Sequence, residues 1–229
     1  MRIFHIQSTS ITETQDLQAL TAAGLPAHGL VWVACARREF EVQQGQVQAM
    51  LQTLCGQQLV DLHISDLINN QLPSHYDYTS QYDVLVFRRL AAGHRATDLE
   101  HPGEPLNHEP AKGGPPILRR IDTSPVGFAV FDRVLLTVHP TDCTVRDVYA
   151  AKLLLAASVE SRAAGARLPT SPADLMLRII NQMVDGFLEL RRELTHQLDH
   201  WQSELLNPRT RFNNWNALLD ARLSLHYLD

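Results

Sequence analysis

The sequence offers almost no cysteine chemistry. Its 229 residues hold three cysteines, Cys35, Cys55 and Cys143, and no Cys-x-x-Cys pair. That argues against a disulfide framework and against a thiolate zinc site. Long apolar runs are equally scarce. The longest aliphatic run, Leu153 to Ala157, falls far short of the roughly 18 residues of a membrane-spanning helix. Positive charge is not in excess: 20 Lys and Arg stand against 25 Asp and Glu, for a net charge of −5. A nucleic-acid partner held through phosphate contacts is therefore not expected. The start, Met1-Arg2-Ile3-Phe4-His5, lacks the apolar core of a secretory signal, which points to a reducing, cytoplasmic setting. Catalytic signatures are missing as well. There is no Gly-x-Ser-x-Gly, no Rossmann fingerprint and no phosphate-cradling glycine loop. Gly113-Gly114 is followed by two prolines and cannot open a helix around phosphate. The expectation is a protein that is not an enzyme and carries no covalent cofactor.

What the sequence does have is enough apolar content for a packed core: 45% hydrophobic against 20% charged residues. Arg2–Ile6 alternates like a short strand. Residues 15–23 suggest a brief helix stopped by Gly24 and Pro26. Leu30-Val31-Trp32-Val33-Ala34 is a continuous apolar run of the kind found in a strand covered on both faces. Helical spacing recurs over 43–54, ended by Gly56, and again over 63–70. Pro73 starts an extended stretch, and residues 82–90 read as a strand. Residues 91–116 carry four glycines and five prolines and little apolar content, so a long mobile loop is expected there. Strand candidates follow at 117–121 and 126–131, and Gly127–His139 reads as a hairpin turning at Asp132-Arg133.

From Thr144 to about Ser161 the pattern is helical. The strongest local signal is 171–206. Ser171 stands at an N-cap, Pro172 at the first helical position and Asp174 three residues after the cap. Apolar residues then recur at Met176, Ile180, Met183, Phe187, Leu190, Leu194, Leu198, Trp201 and Leu205, in steps of 4 and 3 like a coiled-coil seam. Asn207-Pro208 ends this helix, and Phe212–Asp229 begins another with no Gly or Pro stop, as though the chain continued. The fold class expected is α/β. A mixed β-sheet flanked by helices forms residues 1–165, and long helices follow over 166–229 as an antiparallel hairpin and the start of a stalk.

Histidine is the unusual count, with 11 residues. His94, His101 and His108 recur inside the Gly/Pro-rich segment, where a zinc-capturing loop competes with a plain insertion. Asp61-Leu62-His63 puts two ligand types close together at a strand edge or helix start, without a third. His196 and His200 are four apart on the long helix, near Glu193 and Asp199. That spacing suits zinc, yet no Glu stands where a His-Glu-x-x-His metalloprotease needs it, so a polar helix face is the simpler reading.

The order of three segments resembles the cytoplasmic part of the CorA family of divalent-cation transporters, including its ZntB-type branch. The first is Leu62-His63-Ile64-Ser65-Asp66-Leu67-Ile68-Asn69, then Pro73, then Tyr82-Asp83-Val84-Leu85-Val86-Phe87-Arg88. In the family, an acidic helix leads through an Arg-Pro-Lys-like turn into a Tyr-Asp strand. Here the turn is Gln71-Leu72-Pro73-Ser74-His75, without the basic residues. The second is Leu135-Leu136-Thr137-Val138-His139, and the third runs from Pro172-Ala173-Asp174-Leu175 to Leu206. The family's Gly-Met-Asn tripeptide and both membrane helices are absent from these residues.

The resemblance implies the soluble cytoplasmic funnel and regulatory domain of a Mg²⁺, Co²⁺ or Zn²⁺ transporter. Such a domain lies on the cytoplasmic side of the inner (plasma) membrane, attached through C-terminal helices beyond residue 229. It implies a homo-pentamer for the whole protein and a monomer or weak oligomer for these residues alone. It also implies divalent-cation binding, Mg²⁺ or Zn²⁺, with Asp66 as the carried-over metal ligand. Ion-locked gating and proton coupling both occur in the family, and ion choice belongs to the absent pore segment. The competing reading is a stand-alone soluble metal-responsive scaffold or coiled-coil adaptor, and a metallohydrolase is a third.

Overall fold

The computed structural model describes residues 1–26, 28–90, 123–158 and 167–207, together with positions 209, 215 and 219. The elements in chain order are β1 (Arg2–Ile6), β2 (Ile11–Thr14), α1 (Leu17–Ala23), β3 (Leu30–Ala36), α2 (Arg37–Cys55), α3 (Asp61–Ile68), β4 (His75–Tyr78), β5 (Asp83–Leu90), β6 (Thr123–Val130), β7 (Val134–His139), α4 (Thr144–Ala156) and α5 (Pro172–Leu206). The seven strands form one sheet in the order β2-β1-β3-β7-β6-β5-β4. β3 and β7 are parallel, whereas β1–β2, β1–β3, β4–β5 and β6–β7 are antiparallel. The expected mixed sheet with flanking helices is therefore present.

The continuous apolar run of β3 follows from helices on both faces. All seven of its residues are buried, and the two-residue period of a strand divides them between two cores. Val31, Val33 and Cys35 join Leu17 and Leu20 of α1, Phe40, Val47, Met50 and Leu51 of α2, and Ile64 and Leu67 of α3. Leu30, Trp32 and Ala34 join Tyr149, Ala150 and Leu153 of α4 and Leu175, Ile179 and Met183 of α5. Within this second core the Trp32 ring stacks on Phe4 at 4.7 Å between centroids. Its indole N–H donates to Thr137 Oγ1 on β7 at 3.0 Å, which satisfies the one polar atom the ring buries.

The helix ends obey ordinary capping chemistry. Asp16 accepts from the N–H groups of Gln18 and Ala19 at the start of α1. Gly56 closes α2 in the left-handed region at φ 72°, its N–H donating to Gln52 O. At α5, Ser171 Oγ accepts the Asp174 N–H at 3.1 Å, while the Asp174 carboxylate accepts the Thr170 N–H and holds Arg178 at 2.9 Å. That is the cap expected from Ser-Pro-Ala-Asp.

Other expectations shift. β2 has no counterpart in the sequence reading, because Ile-Thr-Glu-Thr is an edge strand with its two middle residues exposed. The helix expected over 43–54 starts at Arg37. On α5 the buried positions among the described residues include Leu175, Ile179, Met183 and Trp201, while Met176 and Ile180 are only half-buried and Leu198 and Leu205 are exposed. The buried stripe in the first turns thus steps by 4 and sits one residue before the expected seam, as suits packing on a sheet. The 91–116 loop, the 117–121 strand and most of the 212–229 helix lie outside the described residues, so the expected helical hairpin does too. By contacts the chain divides into two units: Met1–Arg89 with Ser124–Met183, and Leu90–Thr123 with Val184–Asp229. The candidate site lies wholly in the first.

Candidate metal site on α3

α3 is positioned by its apolar face. Ile64 and Leu67 are 5% and 2% exposed, and burying each contributes roughly 2 kcal/mol. The sheet beneath comes unusually close: a Cβ at Gly127 of β6 would run into Leu67 Cδ2. A side chain at 127 would therefore have to displace the Leu67 side chain from its place on the sheet. With 64 and 67 pointing inward, helical spacing leaves 63 and 66 toward one flank, and that flank faces β4.

Two histidine–carboxylate pairs cross between α3 and β4 in opposite directions. His63 of α3 meets Asp77 of β4, Nε2 to Oδ2, at 3.2 Å. Asp66 of α3 meets His75 of β4, Oδ2 to Nε2, at 3.6 Å. Positions 75 and 77 share a strand face, and Tyr76 and Tyr78 between and beyond them are exposed on the other, stacked at 6.0 Å.

The two pairs are not equivalent. His63 is 3% exposed and uses both ring nitrogens. The Asp77 carboxyl is held below its ordinary range by the Tyr78 N–H and then by His63, so as an ionised acceptor it receives a hydrogen bond from the His63 Nε2–H. His63 Nδ1 lies 2.9 Å from Tyr82 Oη, and that hydroxyl also accepts the Val60 N–H at 2.9 Å. With neutral His63 the hydroxyl donates to Nδ1, and every polar atom in the chain is satisfied. Burial pushes the Tyr82 hydroxyl up, which keeps it a donor. His63 is thus a structural tie rather than an open ligand. The strand-edge placement of Asp61-Leu62-His63 is corrected as well: all three are in the first turn of α3, with Asp61 exposed.

Asp66 and His75 are open. Their side chains are 18% and 30% exposed. His75 Nδ1 lies 3.3 Å from Pro73 O. A carbonyl only accepts, so Nδ1 of His75 is the donor to Pro73 O, and Nε2 faces the Asp66 carboxylate.

The turn joining α3 to β4 lacks basic residues of its own, and two arginines from elsewhere serve it. Arg88 of β5 donates to Leu72 O at 2.9 Å and Asn70 O at 3.3 Å. Arg37 of α2 reaches Asn70 Oδ1 at 3.3 Å and Pro125 O at 2.8 Å. Neither was legible as part of the site, because both reach it across long sequence separations. His75, Asp77 and Tyr82 were likewise missed as partners, although strand alternation over 75–77 was the available signal.

Among the described residues, no group of three or more His, Cys, Asp or Glu converges as a metal cage. His196, Asp199 and His200 are exposed on α5, whereas His94, His101 and His108 lie outside the described residues. No described helix is long and apolar enough to cross a membrane.

No protein-family model matches the sequence, and no curated protein matches it. Solved structures do. The chain is similar to full-length CmaX at 13% identity with a TM-score of 0.69, over 100% of this chain and 58% of that one. It is similar to the ZntB cytoplasmic domain from Vibrio parahaemolyticus RIMD 2210633 at 13% identity and a TM-score of 0.56, over 98% of this chain and 72% of that one. Against the CorA magnesium transporter of Methanocaldococcus jannaschii the identity is 11% and the TM-score 0.60, over 99% of this chain and 57% of that one. The chain therefore has the fold of the CorA-type cytoplasmic domain, and it spans less than two thirds of the CmaX and CorA chains.

Proposed function

We propose that this chain is the cytoplasmic domain of a divalent cation transporter and that ions bound on the α3 surface regulate it. The observation that carries the reading is the fold, shared with the CorA magnesium transporter and the ZntB cytoplasmic domain over nearly the whole chain. Asp66 supports it from below. The carboxylate sits on α3, partly exposed, and among the described residues no arginine or lysine pairs with it. It keeps lone pairs available for a hard cation such as Mg²⁺, which retains most of its waters.

Regulation would work by linkage. An ion that binds only one arrangement of the subunits stabilises it by RT ln(1 + [M]/Kd) per site, and removing the ion releases it. One carboxylate from each chain leaves most coordination positions free for water or for a neighbouring subunit. The reading therefore includes a homo-oligomer, a pentamer, attached to the inner membrane through further helices. It includes no catalytic step.

Limited proteolysis of the membrane-assembled protein under Mg²⁺, Co²⁺ or Zn²⁺ tests the proposal. Protection should rise with metal, and Asp66→Ala should shift its midpoint to at least about tenfold more metal, about 1.4 kcal/mol. Absence of metal-dependent protection in the wild type, for all three ions, would overturn it.

A further inference from the structure

β4 ends the sheet. Among the described residues it is the outermost strand on its side and pairs only with β5. The β4–β5 hairpin closes with the Thr79 N–H donating to Tyr82 O at 2.8 Å. In an antiparallel ladder, hydrogen-bonded and non-hydrogen-bonded pairs alternate. Counting back from Thr79, His75 and Asp77 turn their main-chain groups to β5, while Tyr76 and Tyr78 turn theirs outward. The Tyr78 N–H agrees with this count, because it donates to Asp77 Oδ1 at 2.7 Å. The outward groups that remain are the N–H and C=O of Tyr76 and the C=O of Tyr78. The side chains of the edge are distinctive too. Tyr76 and Tyr78 are 60% and 69% exposed, with their rings stacked. By register Tyr76 lies beside Leu85 and Tyr78 beside Asp83. The rings thus extend the partly buried Leu85 and Phe87 into an aromatic ledge with a carboxylate at its end. On the opposite face of the strand, the Asp77 side chain is 45% exposed. Arg88 of β5 is turned to the carbonyls of Asn70 and Leu72.

We infer that β4 is a docking edge for an extended, cationic segment of a partner protein, which joins the sheet as a further strand. Main-chain bonds to Tyr76 and to Tyr78 O hold the segment. Strand alternation then sends its side chains to the two faces in turn. On one face an arginine lies over the tyrosine rings, attracted by their π faces and by Asp83. On the other face a lysine or arginine meets Asp77. The complementarity of charge selects the partner, because an acidic strand meets like charge on both faces. The edge is otherwise guarded against indiscriminate pairing. β4 is only four residues long, and the Asp77 carboxylate occupies the Tyr78 N–H. No metal ion enters this inference.

The test is an NMR titration of the isotope-labelled 229-residue chain with the peptide acetyl-Arg-Val-Arg-Val-Arg-amide. The backbone amides of β4 should shift to saturation, and added salt should weaken the binding. The same peptide methylated on its internal amide nitrogens should bind at least about tenfold more weakly. Tyr76→Ser combined with Tyr78→Ser should weaken binding at least about threefold, and Asp83→Asn should act in the same direction, with the rest of the amide spectrum unchanged. A peptide with glutamate in place of arginine should leave β4 unshifted. Absence of any β4 shift with a large excess of the arginine peptide would overturn the inference. Equal binding of the methylated peptide would overturn strand pairing, and equal binding of the glutamate peptide would overturn the cationic partner. If the β4 amides shift with protein concentration alone, a second copy occupies the edge and the inference is likewise overturned.

Discussion

Replacing His139 with asparagine should remove a specific part of the acid sensitivity of this fold. His139 ends β7 opposite Ala36 of β3 and is 1% exposed. Its Nδ1–H donates to Pro140 O at 2.9 Å, and its Nε2 is buried without a partner. Burial pushes the imidazole down to about 4, opposed by the Pro140 bond and assisted by Arg146. The unfolded chain takes up this proton near the ordinary value of 6.5. Between those two values the unfolded state binds more protons, so the stability contribution is whole above about 6.5 and is lost as pH falls toward 4. Lowering the pH from 7 to 5 should cost about 2 kcal/mol through this one group. Asparagine can keep the bond to the Pro140 carbonyl and does not titrate. Urea unfolding followed by tryptophan fluorescence at the two pH values measures the difference. The wild type should lose about 2 kcal/mol more than His139→Asn over that interval. Equal losses would refute the claim that His139 is buried neutral.

Two further substitutions probe the seat of α3. Gly127→Ala should lower stability by about 1–3 kcal/mol through overpacking against the Leu67 side chain. An unchanged urea midpoint would show that α3 yields freely. Tyr82→Phe should cost about 2 kcal/mol, because the His63 ring and the Val60 N–H both lose their shared hydroxyl. A neutral result would mean water replaces it without loss.

Legibility in the sequence followed the range of the interactions. β3 and β7 were readable because a strand covered on both faces must be apolar throughout, and both are buried along their full length. The cap of α5 was readable because Ser171 and Asp174 act on neighbours within four residues. Asp66 was singled out only through the family resemblance of α3 and the turn after it. Its partner was not: a histidine two residues past a proline carries no signal of its own until β4 folds back beside α3. Arg37 and Arg88 were hidden for the same reason, each bracing the α3–β4 turn from another element. The seam of α5 was misplaced by one position at its start because steps of 3 and 4 describe both a helix pair and a helix on a sheet. Only the sheet partner, supplied by Trp32, Phe128 and their neighbours, selects Leu175 and Ile179 over Met176 and Ile180.

The most direct measurement of the central claim is divalent-cation influx into liposomes bearing the membrane transporter that the proposal assigns this chain to, read with an entrapped metal-sensitive dye. The account predicts influx of at least one of Mg²⁺, Co²⁺ and Zn²⁺, with Asp66→Ala altering how that influx responds to metal on the cytoplasmic face. Influx no greater than in empty liposomes for all three ions would contradict it.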